Sequence, residues 1–288
     1  MRASGRTENC QIGVFAAHAT GRGHTLVDRR LYLSKSWTED RERCWAARVP
    51  DDRAFAAKGE LARAIILRAL ASPLPVGRVA ADSAYGQDTH FRRFLEDHQL
   101  SYVVAVPKPQ QVHGPRIDHL IGQAPPEAWQ RLSAGSGAKG ERFYDWAAAR
   151  LPAAWEFDEP TRQRWMPARR SIAKPAEIAY YSASAPLEAT VADLVRIAGC
   201  RWKVEECFQS AKNECGLAQY EVRRYVGWYR HITLAMLAHA FLAALAGQER
   251  EKGALSGTHP TSWTSHRPRF DVCWQLDPAA VLHTATTR

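Results

Sequence analysis

Two β-rich segments separated by a short glycine-containing turn constrain the fold of this chain more than any other feature. Residues 10–20 (CQIGVFAAHAT) and 24–34 (HTLVDRRLYLS) flank the tripeptide Gly21-Arg22-Gly23. Strand-forming runs joined by a few residues that include glycine are typical of a β-hairpin. The sequence therefore predicts that an antiparallel pair of strands opens the fold.

Helical and strand-like segments alternate after this hairpin. Residues 60–71 (ELARAIILRALA) form a strong helical pattern that ends before two prolines. Residues 77–86 begin as a short apolar strand, residues 88–98 carry a capped helical pattern, and residues 101–107 (SYVVAVP) form a second apolar strand. The order β-β-α-β-α-β predicts the α/β class, with a mixed sheet and helices.

The rest of the chain divides by composition into three parts. Residues 108–185 are rich in glycine, proline and charge and contain short strand-like pieces, which indicates a mostly β insertion. Residues 186–250 are mostly helical in pattern, and residues 251–288 show no helical or strand period. We therefore predict a first core segment at 8–107, a β-rich insertion subdomain, a helical second core segment and an irregular tail.

The composition describes a globular chain with a preference for polyanions. Its 288 residues are 45% hydrophobic, which is enough to bury a core. Lysine and arginine total 39 against 30 acidic residues, giving a formal net charge of +9. A positive excess of this size favours a nucleic-acid partner.

The sequence shows neither a targeting segment nor a clear membrane span. The first nine residues are charged and lack a long apolar run. The longest apolar stretch, residues 231–247, is short for a membrane span, so we predict a buried core helix there and no membrane partner. The six cysteines form no zinc-binding spacing. We therefore expect reduced thiols and a cytoplasmic, nucleoid-associated chain.

Thr190 and Asp193 have the spacing of a capping box, and the helix predicted from there over residues 190–214 carries a charged stripe. An α-helix advances about 100° per residue, which places Arg201, Glu205 and Lys212 on one stripe and Glu206 about 140° from Arg201. An ordinary surface pair of arginine and glutamate four residues apart is the alternative interpretation. The apolar seam of this predicted helix consists of Leu194, Ile197, Val204, Phe208 and Ala211.

Two aspartates are candidates for chemistry. Asp82 closes an apolar strand, and strand ends in α/β sheets are where catalytic groups gather. A carboxylate at this position suits a divalent cation, although capping of the following loop is the alternative. Asp28 lies within a strand beside Arg29 and Arg30, which favours a paired structural residue.

The combined pattern of these residues resembles a known family. RW-x2-E-x2-F-x3-K (201–212) is similar to the signature region of the insertion-sequence DDE transposases, Y-x2-R-x3-E-x6-K. The resemblance is closest to the seven-oh-one type of that family. The segments that carry it are ENCQIGVFAA (8–17), VDRRLYLSKSWTEDRERC (27–44), VPDDRAFAAKGELAR (49–63), ADSAYGQD (81–88), RLSAGSGAKG (131–140) and GWYRHITLAMLAHAFLA (227–243).

The resemblance implies a fold, an activity and a set of site residues. The fold is a ribonuclease-H-like core interrupted by a β-rich insertion, and the activity is metal-dependent cleavage and strand transfer of transposon ends. Asp82 and Glu205 would be the second and third catalytic carboxylates and would hold two Mg²⁺ or Mn²⁺ ions. The implied partners are double-stranded DNA and further copies of the chain. The implied DNA-binding residues are Arg201, Lys212, Tyr85 and Trp202.

Three features of the sequence depart from the family pattern. Ala198 stands where the family has its tyrosine. The family places its first catalytic aspartate in a strand before the segment that begins at Glu8, so we expect that strand and its acid to be missing from this chain. After about Gly253 the chain lacks the leucine-rich ending that the resemblance implies.

Three functional hypotheses follow. The first is a DDE transposase, whose activity as the 288-residue chain stays open because one acid is expected to be missing. The second is a catalytically inactive remnant that still binds DNA through its charge and the aromatic and basic residues of 201–230. These aromatic residues have packing in the core as their alternative role. The third is another ribonuclease-H-like nuclease.

Overall fold

The structure is a computed structural model of the chain. It describes residues 2–3, 6–7, 10–21, 23–111, 114–137, 140–151, 161–220, 223–256 and 282–283.

The described strands, in chain order, are β1 (Arg2–Ala3), β2 (Arg6–Thr7), β3 (Cys10–Ala19), β4 (His24–Tyr32), β5 (Arg78–Ala81), β6 (Ser101–Val106), β7 (Gln130–Gly137), β8 (Gly140–Arg150), β9 (Arg162–Arg170), β10 (Ile178–Pro186) and β11 (Leu282–His283).

The described helices are α1 (Lys35–Thr38), α2 (Arg41–Ala46), α3 (Lys58–Leu70), α4 (Ser83–Gly86), α5 (Thr89–Asp97), α6 (Ile117–Gly122), α7 (Val191–Gly199), α8 (Arg201–Cys215) and α9 (Tyr225–Ser256), with a short 3-10 turn at Pro126–Ala128.

The chain forms two compact units. Unit 1 comprises the described residues up to Arg68 and those from Val204 onward, and unit 2 comprises the described residues from Ala69 to Lys203. The boundaries fall inside α3 and inside α8.

Unit 1 is built on the predicted hairpin. β3 and β4 pair antiparallel, with a register shift between Ala16 and Ala17, and β11 pairs with the other edge of β3. Phe15 projects from β3 into an apolar cluster with residues of α8 and α9, where its ring meets Phe208 edge-on at 5.2 Å and Trp228 at 6.3 Å. The hairpin prediction is confirmed, and aromatic packing against it forms the core of this unit.

Helix α9 differs from the predicted core helix. One of its faces packs into the unit 1 cluster through Trp228, Ile232 and Met236. Its opposite face is exposed at Leu237 and Phe241, so the expectation of a buried helix is correct for only one side. By length and composition, α9 contains a segment apolar enough to cross a membrane, with mean hydropathy 1.3 and 22% of its most apolar window buried.

The helix predicted over residues 190–214 is in fact two helices. α7 begins with the predicted capping box, in which Thr190 and Asp193 exchange side-chain and backbone hydrogen bonds, and ends at Gly199. A Cβ on Gly199 would lie 2.0 Å from the carbonyl oxygen of Ala134, so the end of α7 lies directly against β7. α8 then starts at Arg201. The predicted apolar seam is therefore divided between the two helices.

Unit 2 is organised around a six-stranded mixed sheet. Its strand order is β5-β6-β10-β9-β8-β7, in which β5 and β6 are parallel and the other pairs are antiparallel. The segment predicted as a β-rich insertion supplies β7 to β10, and β10 pairs directly with β6. α7 contributes Leu194 and Ile197 to one apolar cluster of this sheet, and α6 contributes Ile117 and Ile121 to another.

The element order agrees with the fold expected from the sequence. The hairpin, α3, β5, α5 and β6 follow one another as β-β-α-β-α-β, with the short helices α1, α2 and α4 between them. The mixed α/β class is confirmed, and the arrangement is consistent with a ribonuclease-H-like fold.

The tail and the cysteines give mixed outcomes. α9 continues to Ser256, and residues 257–281 and 284–288, which include most of the predicted irregular tail, lie outside the described residues. Cys44, Cys207 and Cys215 are free thiols, as predicted. Cys200 is disulfide-bonded, so the prediction of reduced thiols is wrong at this position.

Gly86, the last residue of α4, is required by close packing. A Cβ there would lie 1.8 Å from the carbonyl oxygen of Ala105 in β6, a distance that no side chain tolerates. We expect Gly86→Ala to destabilise the protein by about 3 kcal/mol, because the backbone must move to relieve the overlap. Urea unfolding measures the change. Gly122→Ala in the same unit is the matched control, since no atom lies within 4 Å of its Cβ position, and an equal loss there would contradict the argument.

A buried histidine links three elements of unit 1. His239 of α9 is 4% exposed; its Nδ1 is 3.0 Å from the hydroxyl of Thr25 in β4 and its Nε2 is 2.7 Å from the hydroxyl of Ser210 in α8. One ring nitrogen donates and the other accepts, so the neutral ring satisfies both contacts. Burial lowers the pKa of His239, and it lowers the pKa of His18 in β3 in the same way.

These two histidines predict a loss of stability in mild acid. Below about pH 6.5 the unfolded chain binds protons that the folded chain refuses, so stability is complete above that pH and falls as the pH decreases toward the lowered folded pKa. Urea midpoints between pH 7.5 and 5 measure this dependence. His239→Gln should flatten it, and an unchanged slope in this variant would exclude His239 as a contributor.

Candidate active site and nucleic-acid contacts

Asp82 lies immediately after β5 in unit 2, as predicted. β5 is a buried apolar strand, and Asp82 is the N-cap of α4, with Oδ1 accepting a hydrogen bond from the Ala84 amide at 2.9 Å. The cap and the contact of Gly86 with β6 together fix the carboxylate at the end of the strand. The capping interpretation of Asp82 is therefore confirmed, and its role as a ligand of a divalent cation stays a prediction.

Tyr85 belongs to the interior of unit 2. Its side chain is fully buried in α4 and packs against Phe91 of α5 at a centroid distance of 5.8 Å. A DNA contact through this side chain would require that packing to open.

Glu205 and Glu206 occupy different environments on α8, as the helical geometry predicts. Glu205 is exposed, whereas Glu206 is half-buried with Oε2 3.5 Å from Nε2 of His24, an ion pair when the histidine is protonated. Val204 and Phe208 on the inner face are buried in the core of unit 1. The structure therefore gives Glu205, and not Glu206, the more accessible position.

The predicted site residues are divided between the units. Asp82 and Arg201 belong to unit 2, and Glu205 and Lys212 belong to unit 1. Arg201 is the first residue of α8, and the Lys212 ammonium lies over the ring of Phe208 at 5.7 Å. The two predicted carboxylates are thus carried by different compact units.

Trp202 is part of an arginine-aromatic stack in unit 2. Its ring lies parallel to that of Tyr144 in β8, with 2° between the planes and 5.8 Å between centroids. The Arg169 guanidinium lies 4.4 Å from the Tyr144 ring and 5.0 Å from the Trp202 ring, and Arg142 lies 5.3 Å from Trp202. These contacts hold the start of α8 against the sheet of the same unit through cation-π attraction.

Asp28 is a paired structural residue, as predicted. Arg68 of α3 donates two hydrogen bonds to its Oδ2, at 2.9 and 2.6 Å, and the Arg29 amide donates to its Oδ1 at 2.7 Å. Only 19% of its side chain is exposed. The carboxylate therefore joins β4 to α3.

Unit 2 contains a pocket lined by arginines that the sequence analysis did not predict. It has a volume of about 290 Å³. Arg164 donates two hydrogen bonds to Glu96 at 3.0 and 2.7 Å, and Tyr102 donates one at 2.8 Å. One sequence feature could have indicated this pocket: Arg162 and Arg164 are two residues apart in β9, which places both side chains on one face of the sheet. Its polar lining includes Arg92, Arg93, Glu96, Gln110, Arg164 and Ser182.

Burial, hydrogen bonds and charge together shift the pKa values of Glu96 and Tyr102 in this pocket. Burial by itself would raise the pKa of Glu96, but the hydrogen bonds from Arg164 and Tyr102 outweigh it and hold that pKa below its ordinary value. Burial, followed by the nearby Glu96 charge, raises the pKa of Tyr102. Glu96 therefore stays ionised beside three arginines, and the pocket retains a net positive charge.

The described residues do not form a complete metal centre. In this part of the chain, no group of three or more histidine, cysteine or acidic side chains is arranged to hold a metal ion. Asp82 is therefore not part of a group of three or more such ligands among the described residues, and we derive no catalytic step through a metal.

Comparison with known families assigns the lineage. Residues 1–166 match the family described as DDE superfamily endonuclease, which is more than half of the 288 residues. The chain belongs to this DDE endonuclease superfamily. No curated protein matches the chain.

The match to the DDE endonucleases covers only some of the predicted site residues. It spans Asp82 and Tyr85 but ends before Arg201, Glu205 and Lys212, whose assignment depends on their spacing in α8. Enzymes of this superfamily act on nucleic acid and generally use divalent metal ions. The identity of the ion, Mg²⁺ or Mn²⁺, stays a prediction.

The pairing of Asp28 predicts a structural role that can be measured. Asp28→Asn should destabilise the protein by about 1–3 kcal/mol. The substitution removes the negative charge that accepts two hydrogen bonds from Arg68, and only 19% of the Asp28 side chain is exposed. Urea unfolding measures the loss. Asp51→Asn is the matched control, since Asp51 pairs with Arg41 while 93% exposed, and it should change stability by less than about 0.5 kcal/mol. A neutral Asp28→Asn would show that the pair is dispensable.

Proposed function

We propose that this DDE endonuclease is a DNA transposase of the insertion-sequence type, which cuts and joins the ends of its element. The observation that carries the proposal is the superfamily match combined with an acidic residue fixed at the end of β5. The R-x3-E-x6-K spacing on α8 supports the insertion-sequence type in particular. The proposed site of action is cytoplasmic, at the nucleoid.

The proposed roles follow from charge and position. Asp82 and Glu205 act as the second and third acids of the active site, and Arg201 and Lys212 contact phosphates of the element end. Guanidinium and ammonium groups neutralise phosphate charge, with arginine adding directional hydrogen bonds. The stacked Trp202 positions the first turn of α8, which carries Arg201.

Duplex DNA and further copies of the chain are the proposed partners. The net charge of +9 favours a polyanion, and the pocket beside Arg92 and Arg93 adds a concentrated positive site in unit 2. Self-association in the DNA complex is the second part of this proposal.

Salt-dependent DNA binding tests the proposed partner. We expect the affinity for duplex DNA to fall at least about tenfold between about 50 and 200 mM salt, because contacts with phosphates release counterions. Fluorescence anisotropy with a labelled duplex measures it. Arg93→Ala should weaken binding and reduce the salt slope, whereas Arg41→Ala, which removes an exposed arginine paired with Asp51, is the control. Absence of binding at low salt would exclude DNA as the partner.

A catalytically inactive DNA-binding protein is the second candidate function. The observation in its favour is that the described residues bring no three metal-ligating side chains together. It shares the DNA-binding expectation with the transposase, so only an activity assay separates the two.

A strand-transfer assay with the matching element ends separates these functions. Joining of the ends would support the transposase, and DNA binding without cleavage or joining would support the inactive protein. Glu205→Gln should reduce joining at least about tenfold, whereas Glu206→Gln should leave it nearly unchanged. Equal losses in the two variants would remove Glu205 from its proposed role.

A further inference from the structure

Helix α9 has apolar residues on two opposite faces. With about 100° per residue, Trp228, Ile232 and His239 fall on one side, and Leu234 and Phe241 fall on the other. The first side is buried in the core of unit 1. The second side is exposed, and this division explains why the sequence of α9 shows no clear polar face.

The exposed face is large and continuous. Leu234, Leu237 and Phe241 are 60%, 65% and 63% exposed, and Leu242 and Leu245 extend the same surface by one more turn. Contiguous apolar patches of this kind mark interaction sites, since isolated proteins rarely leave them in water. We call these five residues the α9 stripe.

The charges at the ends of the stripe are complementary under a two-fold rotation. Arg230 and Glu249 are exposed, and no lysine, arginine, aspartate or glutamate occurs in the sequence between them. If two α9 helices pair antiparallel about a point between residues 239 and 240, Arg230 of one copy lies opposite Glu249 of the other. The same rotation places Leu234 opposite Leu245 and Leu237 opposite Leu242.

We infer that the α9 stripe is a docking surface for a second copy of this chain, which pairs antiparallel through the same residues. A two-fold interface uses the same patch twice, so each apolar residue meets another and each end charge meets its opposite. This deepens the self-association part of the proposed function and identifies its surface. The pairing does not require DNA.

The packing of α9 argues against a membrane span through this helix. The opposite face of the helix contributes Trp228, Ile232 and Met236 to the core of unit 1. A membrane span would have to withdraw these side chains from that core. A second protein surface covers the stripe while leaving the packed face in place.

The oligomeric state of the full chain without DNA tests the inference. We expect sedimentation equilibrium at micromolar concentrations to show a dimer of twice the 32.3 kDa chain mass. Leu237→Glu should raise the dissociation constant at least about tenfold by placing a charge inside the interface. Leu187→Glu is the matched control, because Leu187 is 49% exposed in unit 2 and should leave the dimer unchanged. A monomeric wild-type chain at about 100 μM would overturn the inference.

A charge exchange tests the antiparallel register. Arg230→Glu and Glu249→Arg should each weaken the dimer, and the double variant should restore it, because the opposed charges are then reversed on both copies. Circular dichroism confirms that each variant is folded. Failure of the double variant to recover would overturn the register.

A lipid-binding assay tests whether the α9 stripe binds a lipid surface and not a second copy of the chain. Flotation with neutral phosphatidylcholine vesicles should recover no protein. Binding that is lost in Leu237→Glu would assign the stripe to a lipid surface and overturn the inference. Fluorescence anisotropy with duplex DNA on Leu237→Glu distinguishes a loss of dimerisation from a failure of DNA binding.

Discussion

The contact between α4 and β6 fixes the position of Asp82, the proposed second acid of the active site. Gly86 allows the helix backbone to approach the Ala105 carbonyl more closely than any side chain permits. The helix is only four residues long, so its position also determines that of its N-cap, Asp82. The carboxylate that the superfamily match covers therefore owes its place to a glycine that bears no functional group.

Local patterns predicted the elements of the fold well, and long-range contacts explain where they failed. The hairpin, the capping box at Thr190 and the cap at Asp88 depend on neighbouring residues, and all three are present. Periodicity reveals neither the break between α7 and α8 nor the close approach of Gly199 to Ala134, 65 positions earlier. The exposed side of α9 was not predicted for another reason. Its sequence has apolar residues on both faces, which is the pattern of a helix buried on all sides.

The sequence predicted part of the surroundings of the candidate site residues, and their roles stay predictions. Helical geometry distinguished Glu205 from Glu206, and the structure agrees in their exposure. The DNA contact expected of Trp202 stays a prediction, and the structure adds that its ring is stacked on Tyr144 and flanked by arginines. Tyr144 and Arg169, which pack against Trp202, lie in β8 and β9, so no local sequence spacing predicts these contacts. The same holds for the pocket around Glu96, which combines side chains from several elements.

The link between Asp28 and Arg68 bears on how unit 1 opens. It joins a strand of the hairpin to the end of α3 through two hydrogen bonds to one carboxylate oxygen. Opening one of these segments alone would leave the largely buried Asp28 carboxylate without the Arg68 charge, so the two segments are expected to separate together. Amide hydrogens of β4 and the last turn of α3 should therefore exchange with solvent at a common rate, as one cooperative segment of the native protein.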